Sequence, residues 1–316
     1  MTSRTARHLL MAAGCTALLT GPAFAQTKAK PKAPAAASAN KPAASSCDVL
    51  ADDPQDPFRT AQGVEEHAID PAKAVPACKA AVDAAPDDGR VRYAYARALQ
   101  RAGDNDGALN AYQQAAERAY PIAENFVGMM YQQARQPEAA AQWIRKAADH
   151  GYPPAQMVLG TFYHQGVGVP RDPKQAVDWY RKAADAGYPL AQTALAGMYH
   201  KGDGVAQDDK QALAWYRKAA DQNYAIGQYG IGDAYYHGWG QPKDDKQAFA
   251  WYSKAAQQGY PPAQAALGVM YHNGEGTKAD DAKAADWLKQ AVELGFTPAQ
   301  PLLAALQPGA PAPAKP

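Results

Sequence analysis

The sequence predicts an all-α protein, an α-solenoid of stacked two-helix repeats, and three regularities carry that reading. Trp143, Trp179, Trp215, Trp251 and Trp287 are each 36 residues apart. Tyr152, Tyr188, Tyr224, Tyr260 and Phe296 each follow nine residues behind a Trp. A GxG pair recurs at Gly166/Gly168, Gly202/Gly204, Gly238/Gly240 and Gly274/Gly276. The register holds without slippage over 153–188, 189–224, 225–260 and 261–296. One such unit cannot bury both faces of a helix pair, so neighbours must stack into a continuous core.

The elements follow in order. Residues 1–25 read as a secretory signal: Arg4 and Arg7, a short apolar run from Leu9 to Thr20, and a small-x-small cleavage site at Ala23-Phe24-Ala25. Ala13-Gly14-Cys15 distantly echoes a lipoprotein site, but Ala12 stands where Leu is usual, so Cys15 is expected to leave with the signal. The expected location is the periplasm or the exterior. Residues 26–46 are Ala, Pro, Lys and Ser without a large apolar side chain, the composition of a disordered spacer. Cys47 and Cys78 then remain, an even count in an exported chain, and are expected to pair as a structural disulfide. That bridge would tie an irregular segment, 47–70, to a first helix around 77–84, which Pro76 should stop from extending upstream.

Residues 89–120 place small and apolar residues at Ala96, Leu99, Ala108, Tyr112 and Ala115, a plain helical hairpin. Residues 121–152 form a unit four residues short of 36, and the loss falls in the loop, which has no GxG. In 153–188, Ala155, Leu159 and Tyr163 share one helix face, and Gly160 admits a close helix. Gly166 ends that helix. Asp172 is the N-cap of the second, with Pro173 at its first position and Gln175 completing a capping box. Ala176, Trp179, Tyr180 and Ala183 face inward, and Gly187 turns the chain in a left-handed conformation; Asn223 takes that place in the next unit. A capping helix at 297–306 and a disordered tail, 307–316, complete the chain.

These residues resemble the Sel1-like repeat family, related to tetratricopeptide repeats. The match runs through Ala155, Leu159, Gly160, Tyr163, Gly166, Gly168, Val169, Asp172, Ala176, Trp179, Tyr180, Lys182, Ala183, Ala184, Gly187 and Tyr188, and the next three units match nearly as well. Ala196, Gln241 and Leu288 are departures. The resemblance covers about 121–306; segment 89–120 is similar to a plain tetratricopeptide unit. It implies a right-handed solenoid and a scaffold that holds protein partners, as in exported members concerned with envelope signalling, polysaccharide secretion or host interaction. Cysteine-rich members linked to β-lactam binding carry a disulfide in most repeats; here no 36-residue unit contains Cys.

The function classes narrow further. There are 32 Lys and Arg against 31 Asp and Glu, so no basic face points to nucleic acid. His164, His200 and His272 share one repeat position, but stacked units lie about 10 Å apart and a zinc ion needs ligands about 2 Å from one centre. Asp208–Asp209, Asp244–Asp245 and Asp280–Asp281 sit where helices begin, which explains them as caps. Each GxG follows a helix, not a strand, unlike a phosphate loop. No catalytic constellation, cofactor or metal site is expected, and the protein is expected to be a monomer without a transmembrane segment. Positions away from the Leu159 face are expected to meet a partner: Met157, Thr161, His164, Thr193, His200, Tyr229, Asp233, Tyr236, Trp239 and His272. The 225–260 unit differs most from its neighbours, with Trp239 inside its GxG; the aromatics there point to a binding hot spot or a carbohydrate-binding surface.

Overall fold

Helices α1 (Ser46–Ala51), α2 (Pro71–Ala84), α3 (Gly89–Ala102), α4 (Asn105–Glu117), α5 (Pro121–Gln133), α6 (Pro137–Asp149), α7 (Pro153–Gln165) and α8 (Pro173–Asp185) form the first part of the protein. They are followed by α9 (Pro189–Lys201), α10 (Asp209–Asp221), α11 (Ala225–His237), α12 (Asp245–Gln257), α13 (Pro261–Asn273), α14 (Asp281–Glu293) and α15 (Gln300–Leu306). The structure is a computed structural model and describes residues 45–53 and 61–306. The expected signal segment and C-terminal tail lie outside the described residues, as does all but the last two residues of the expected spacer. No strand occurs among the described residues. The chain divides between Ala191 and Gln192 into two compact units. Each is a stack of helical hairpins in which neighbouring helices pack in chain order.

Small residues set the spacing within a hairpin. A Cβ built on Gly160 would lie 2.6 Å from the Tyr180 ring, and one on Gly232 2.5 Å from the Tyr252 ring. A tyrosine of the second helix therefore lies flat against glycine of the first. Ala183, Ala219 and Ala255 are fully buried at equivalent places, and Trp179 and Trp215 are almost covered. Each recurrent lysine then closes its own tryptophan from outside. The Nζ of Lys146, Lys182, Lys218 and Lys254 lies 3.8, 3.6, 3.5 and 3.9 Å from the ring centroid of the Trp three residues before it.

The GxG serves two purposes. The first glycine ends the first helix in the left-handed region, at φ 77° for Gly166 and 75° for Gly238. The second is pressed against the preceding repeat. A Cβ on Gly168 would fall 1.9 Å from the Pro137 carbonyl oxygen, on Gly240 2.5 Å from that of Asp209, and on Gly276 2.2 Å from that of Asp245. The loop of one repeat thus sits on the start of the second helix before it. Asp172 caps α8 by accepting from the Lys174 and Gln175 backbone N–H groups, as expected, but the Gln175 side chain donates to the Asp172 carboxylate at 2.9 Å, while the Asp172 backbone N–H goes to the Tyr163 carbonyl.

The N-terminal segment differs from expectation in two ways. Residues 46–51 are helical, so the spacer ends at Ser45, whose hydroxyl caps α1 by accepting from Asp48 N. Helix α2 also begins at Pro71 and continues through Pro76. Asp70 accepts from Ala72 N and Pro71 takes the first position, which nucleates the helix strongly enough to absorb the bond lost at Pro76. Cys47 and Cys78 form a disulfide. Around it, Asp48 and Asp52 are buried against Arg90, and Arg97 donates to the carbonyls of Ala51 and Val64 at 2.7 and 2.8 Å. The two buried carboxylates thus face a cation, and the buried guanidinium of Arg97 is hydrogen-bonded to carbonyls. At the other end, Leu302, Leu303 and Leu306 of α15 cover Ala265, Val269 and Leu288.

Candidate interaction surface

The first helix of each repeat was expected to present its outer positions to a partner. The structure places many of them inside. Met157, Thr193, Tyr229 and Tyr236 are buried, at 8, 3, 7 and 6 % exposure. The expectation of exposure fails there because a first helix packs not only on its own second helix but on the neighbouring hairpins, which enclose it on more than one side. Thr161, His164, His200, Asp233 and Trp239 are half-buried, and His272 is exposed.

The departures of the 225–260 repeat turn inward. Tyr229 lies against Tyr252 and Tyr260, with ring centroids 5.4 Å away in each case. The Tyr236 hydroxyl donates to Glu275 Oε2 at 2.8 Å, reaching the GxG loop of the following repeat. Trp239 makes the mirror contact with the preceding repeat: its ring lies 4.5 Å from His200 and 5.9 Å from Tyr216. Trp239 is half-buried, with part of its ring taken up by these contacts.

The recurrent histidines are accounted for in part by the second aspartate of each Asp pair. His200 Nδ1 lies 2.7 Å from Asp209 Oδ1, and His272 Nδ1 2.7 Å from Asp281 Oδ1. The first aspartate is the cap: Asp208 accepts from Lys210 N and Gln211 N, and Asp244 from Lys246 N and Gln247 N. The capping expectation therefore holds for the first Asp, while the second ties the end of one helix to the start of the next. In the 225–260 repeat Tyr236 replaces the histidine and Asp245 meets Lys243 instead, at 3.1 Å. Among the described residues no group of three His, Cys, Asp or Glu is arranged to hold a metal ion.

Two features escaped the sequence reading. Gln156, Gln192, Gln228 and Gln264 recur at 36-residue spacing and are all buried. Gln222 donates to Gln192 Oε1 at 2.9 Å and Gln258 to Gln228 Oε1 at 2.7 Å. In the last repeat Leu294 stands where those donors would be, and Gln264 Oε1 is left without a hydrogen bond. The short repeat has Glu124 in the glutamine place and His150 as its partner, 2.7 Å apart. Glu124 is 1 % exposed, and burial raises its pKa despite the opposing pull of His150. The recurrence of Gln was readable as a signal; its burial was not.

The second feature is an exposed apolar pair. Phe126 and Met129, one turn apart on α5, are 36 and 38 % exposed. Phe126 packs its ring on that of Tyr112, with centroids 4.2 Å apart. The other two large hydrophobic side chains that stand exposed among the described residues, Val49 and Leu294, are isolated. Among the described residues no helix is long and apolar enough to cross a membrane.

Comparison with known proteins agrees with this architecture. The Sel1 repeat model matches residues 121–152, 153–188, 189–224, 225–260 and 261–296, and a tetratricopeptide repeat model matches 66–121. The latter match takes in α2 as well as the α3–α4 hairpin. No curated protein matches the chain. Among solved structures, the chain is similar to c5321, a protective antigen of uropathogenic Escherichia coli with an SLR fold, at 30% identity and a TM-score of 0.64. That alignment covers 73% of this chain but only 51% of the antigen, so the chain spans about half of that protein's length. It is also similar to a Sel1 repeat protein from Oxalobacter formigenes, at 30% identity and a TM-score of 0.63, covering 68% of this chain and 87% of the other. Such solenoids are generally interaction scaffolds. With five consecutive matched repeats, the chain belongs to the Sel1 repeat family.

Proposed function

We propose that this protein is an exported, non-catalytic scaffold that holds a protein partner of the cell envelope or the exterior. The repeat fold supports the scaffold reading, and the Cys47–Cys78 disulfide fits an oxidising compartment. The observation that carries the partner reading is the Phe126–Met129 pair. Every other apolar departure in the described repeats is answered by an internal contact or stands alone, whereas these two side chains share one helix face in the open. Contiguous exposed apolar surface of this kind marks a site of protein contact. The half-buried His164, His200 and Trp239 and the exposed His272 remain separate candidates for contact with a partner.

Affinity capture from an envelope fraction tests the proposal. The wild-type protein should enrich a specific protein, and the Phe126→Ser/Met129→Ser variant should lose it while keeping its helical circular dichroism. Equal enrichment by both, or none by either, would overturn the reading. Turnover of a chromogenic β-lactam by pure protein would overturn its non-catalytic part.

A further inference from the structure

One titratable side chain lies where the other repeats have none. Asp233 on α11 is equivalent to Thr161, Gly197 and Val269. In the 153–188 repeat the Thr161 hydroxyl lies 3.2 Å from the Tyr180 hydroxyl, a neutral bond joining first and second helix. In the 225–260 repeat the Tyr252 hydroxyl donates to Asp233 Oδ1 at 2.6 Å, and Tyr229 adds a second hydrogen bond from the same helix as the aspartate. Tyr252 is fully buried, and Gly232 is pressed against its ring. What acts on the carboxyl group is its burial, with the hydrogen bonds from Tyr252 and Tyr229 opposing. The groups around it are the Tyr229, Tyr236 and Tyr252 rings; beyond them Glu275 accepts from Tyr236, and Lys243 stands 5.3 Å from the Tyr236 ring. Part of the residue reaches the surface, yet its carboxyl head sits among rings.

We propose that Asp233 is a proton-dependent latch: neutral, it fastens α11 to α12, and ionised, it loosens that hairpin. The physical cause is an anion taken out of water among tyrosine rings. Burial pushes its pKa up to about 7 from 3.8, and the two tyrosine hydroxyls only partly restrain the shift. The folded state thus holds the proton more tightly than the unfolded chain. The stabilisation is complete below about pH 4, declines as pH rises, and is gone once the folded-state pKa is passed. For these values the opening equilibrium shifts about tenfold between pH 6 and pH 8.

Hydrogen exchange of the full chain, read by mass spectrometry and corrected for the chemical rate, tests this. Peptides from α11 and α12 should lose about tenfold protection from pH 6 to pH 8, while peptides from α7 and α8, which carry Thr161–Tyr180, should not. Asp233→Thr, which copies that repeat, and Asp233→Asn should both flatten the α11–α12 profile. A wild-type profile as flat as that of α7–α8 would overturn the proposal even if neither variant folds. So would folded variants that keep the wild-type slope.

Discussion

Replacing either glycine of one GxG by alanine separates turn chemistry from close approach. Gly238 and Gly240 have nearly the same φ, +75° and +71°, so a Cβ meets the same left-handed penalty at both, about 1 kcal/mol. Their surroundings differ. At Gly238 the nearest neighbours of the new Cβ are Lys243 Cβ and backbone N, both at 3.3 Å and in the same loop, which need shift by only a few tenths of an ångström. At Gly240 it is the Asp209 carbonyl oxygen at 2.5 Å, with the carbonyl carbon at 2.9 Å. Those atoms are backbone at the first turn of α10, so the loop must lift off the preceding repeat. Forced backbone displacement of this kind adds about 1–3 kcal/mol. Gly240→Ala should therefore cost about 2–4 kcal/mol and Gly238→Ala about 1, read as urea midpoints at constant slope. In Gly240→Ala, hydrogen exchange should also rise at the start of α10. Equal losses for the two variants would show that the second glycine is needed only for its turn, and that the loop does not fasten one repeat to the next.

Three further outcomes follow from the packing. Glu124→Gln restores the residue that four other repeats carry, so at pH 8 it should be as stable as wild type or more so, whereas Glu124→Ala should lose about 2–4 kcal/mol by denaturant titration. Cys47→Ser/Cys78→Ser should destabilise the N-terminal region by about 3–4 kcal/mol, from a loop of sequence separation 31, without changing exchange in α11 and α12. Lys218→Gln should cost no more than about 1 kcal/mol, since it removes only the cation over Trp215, while Trp215→Ala should cost about 3–5, measured in the same titration.

The architecture was legible because each recurrent residue answers one packing demand. Gly160 admits Tyr180, Ala183 admits a neighbouring helix, and Gly166 and Gly187 reverse the chain, so the spacing of Trp, Ala and Gly encodes the stack directly. The candidate surface was less legible, for a geometric reason. Counting 100° per residue from Leu159 defines one buried direction, but a first helix inside a stack has several. Tyr229 and Tyr236 point away from the Leu159-type face and still meet the Tyr252 and Tyr260 rings or the Glu275 carboxylate. Pairings between repeats, such as His200 with Trp239, join residues 39 apart, and no local pattern announces them.

Variation among copies must therefore be sorted before it is read as function. In the 225–260 repeat each departure has a counterpart: Asp233 meets Tyr252, Tyr236 meets Glu275, and Trp239 meets His200. Two of the three counterparts lie in a neighbouring repeat, so those changes adjust the grip between repeats. The short repeat varies differently. Its loop lacks the GxG by which Gly168, Gly240 and Gly276 rest on a preceding helix. There Glu124 is answered by His150, but Phe126 is only partly covered by Tyr112 and Met129 stays exposed. A paired departure is satisfied within the chain; an unpaired apolar one leaves surface that a partner would gain free energy by covering. By that criterion the partner is sought at α5, in the short Sel1 repeat, before the repeat whose sequence differs most.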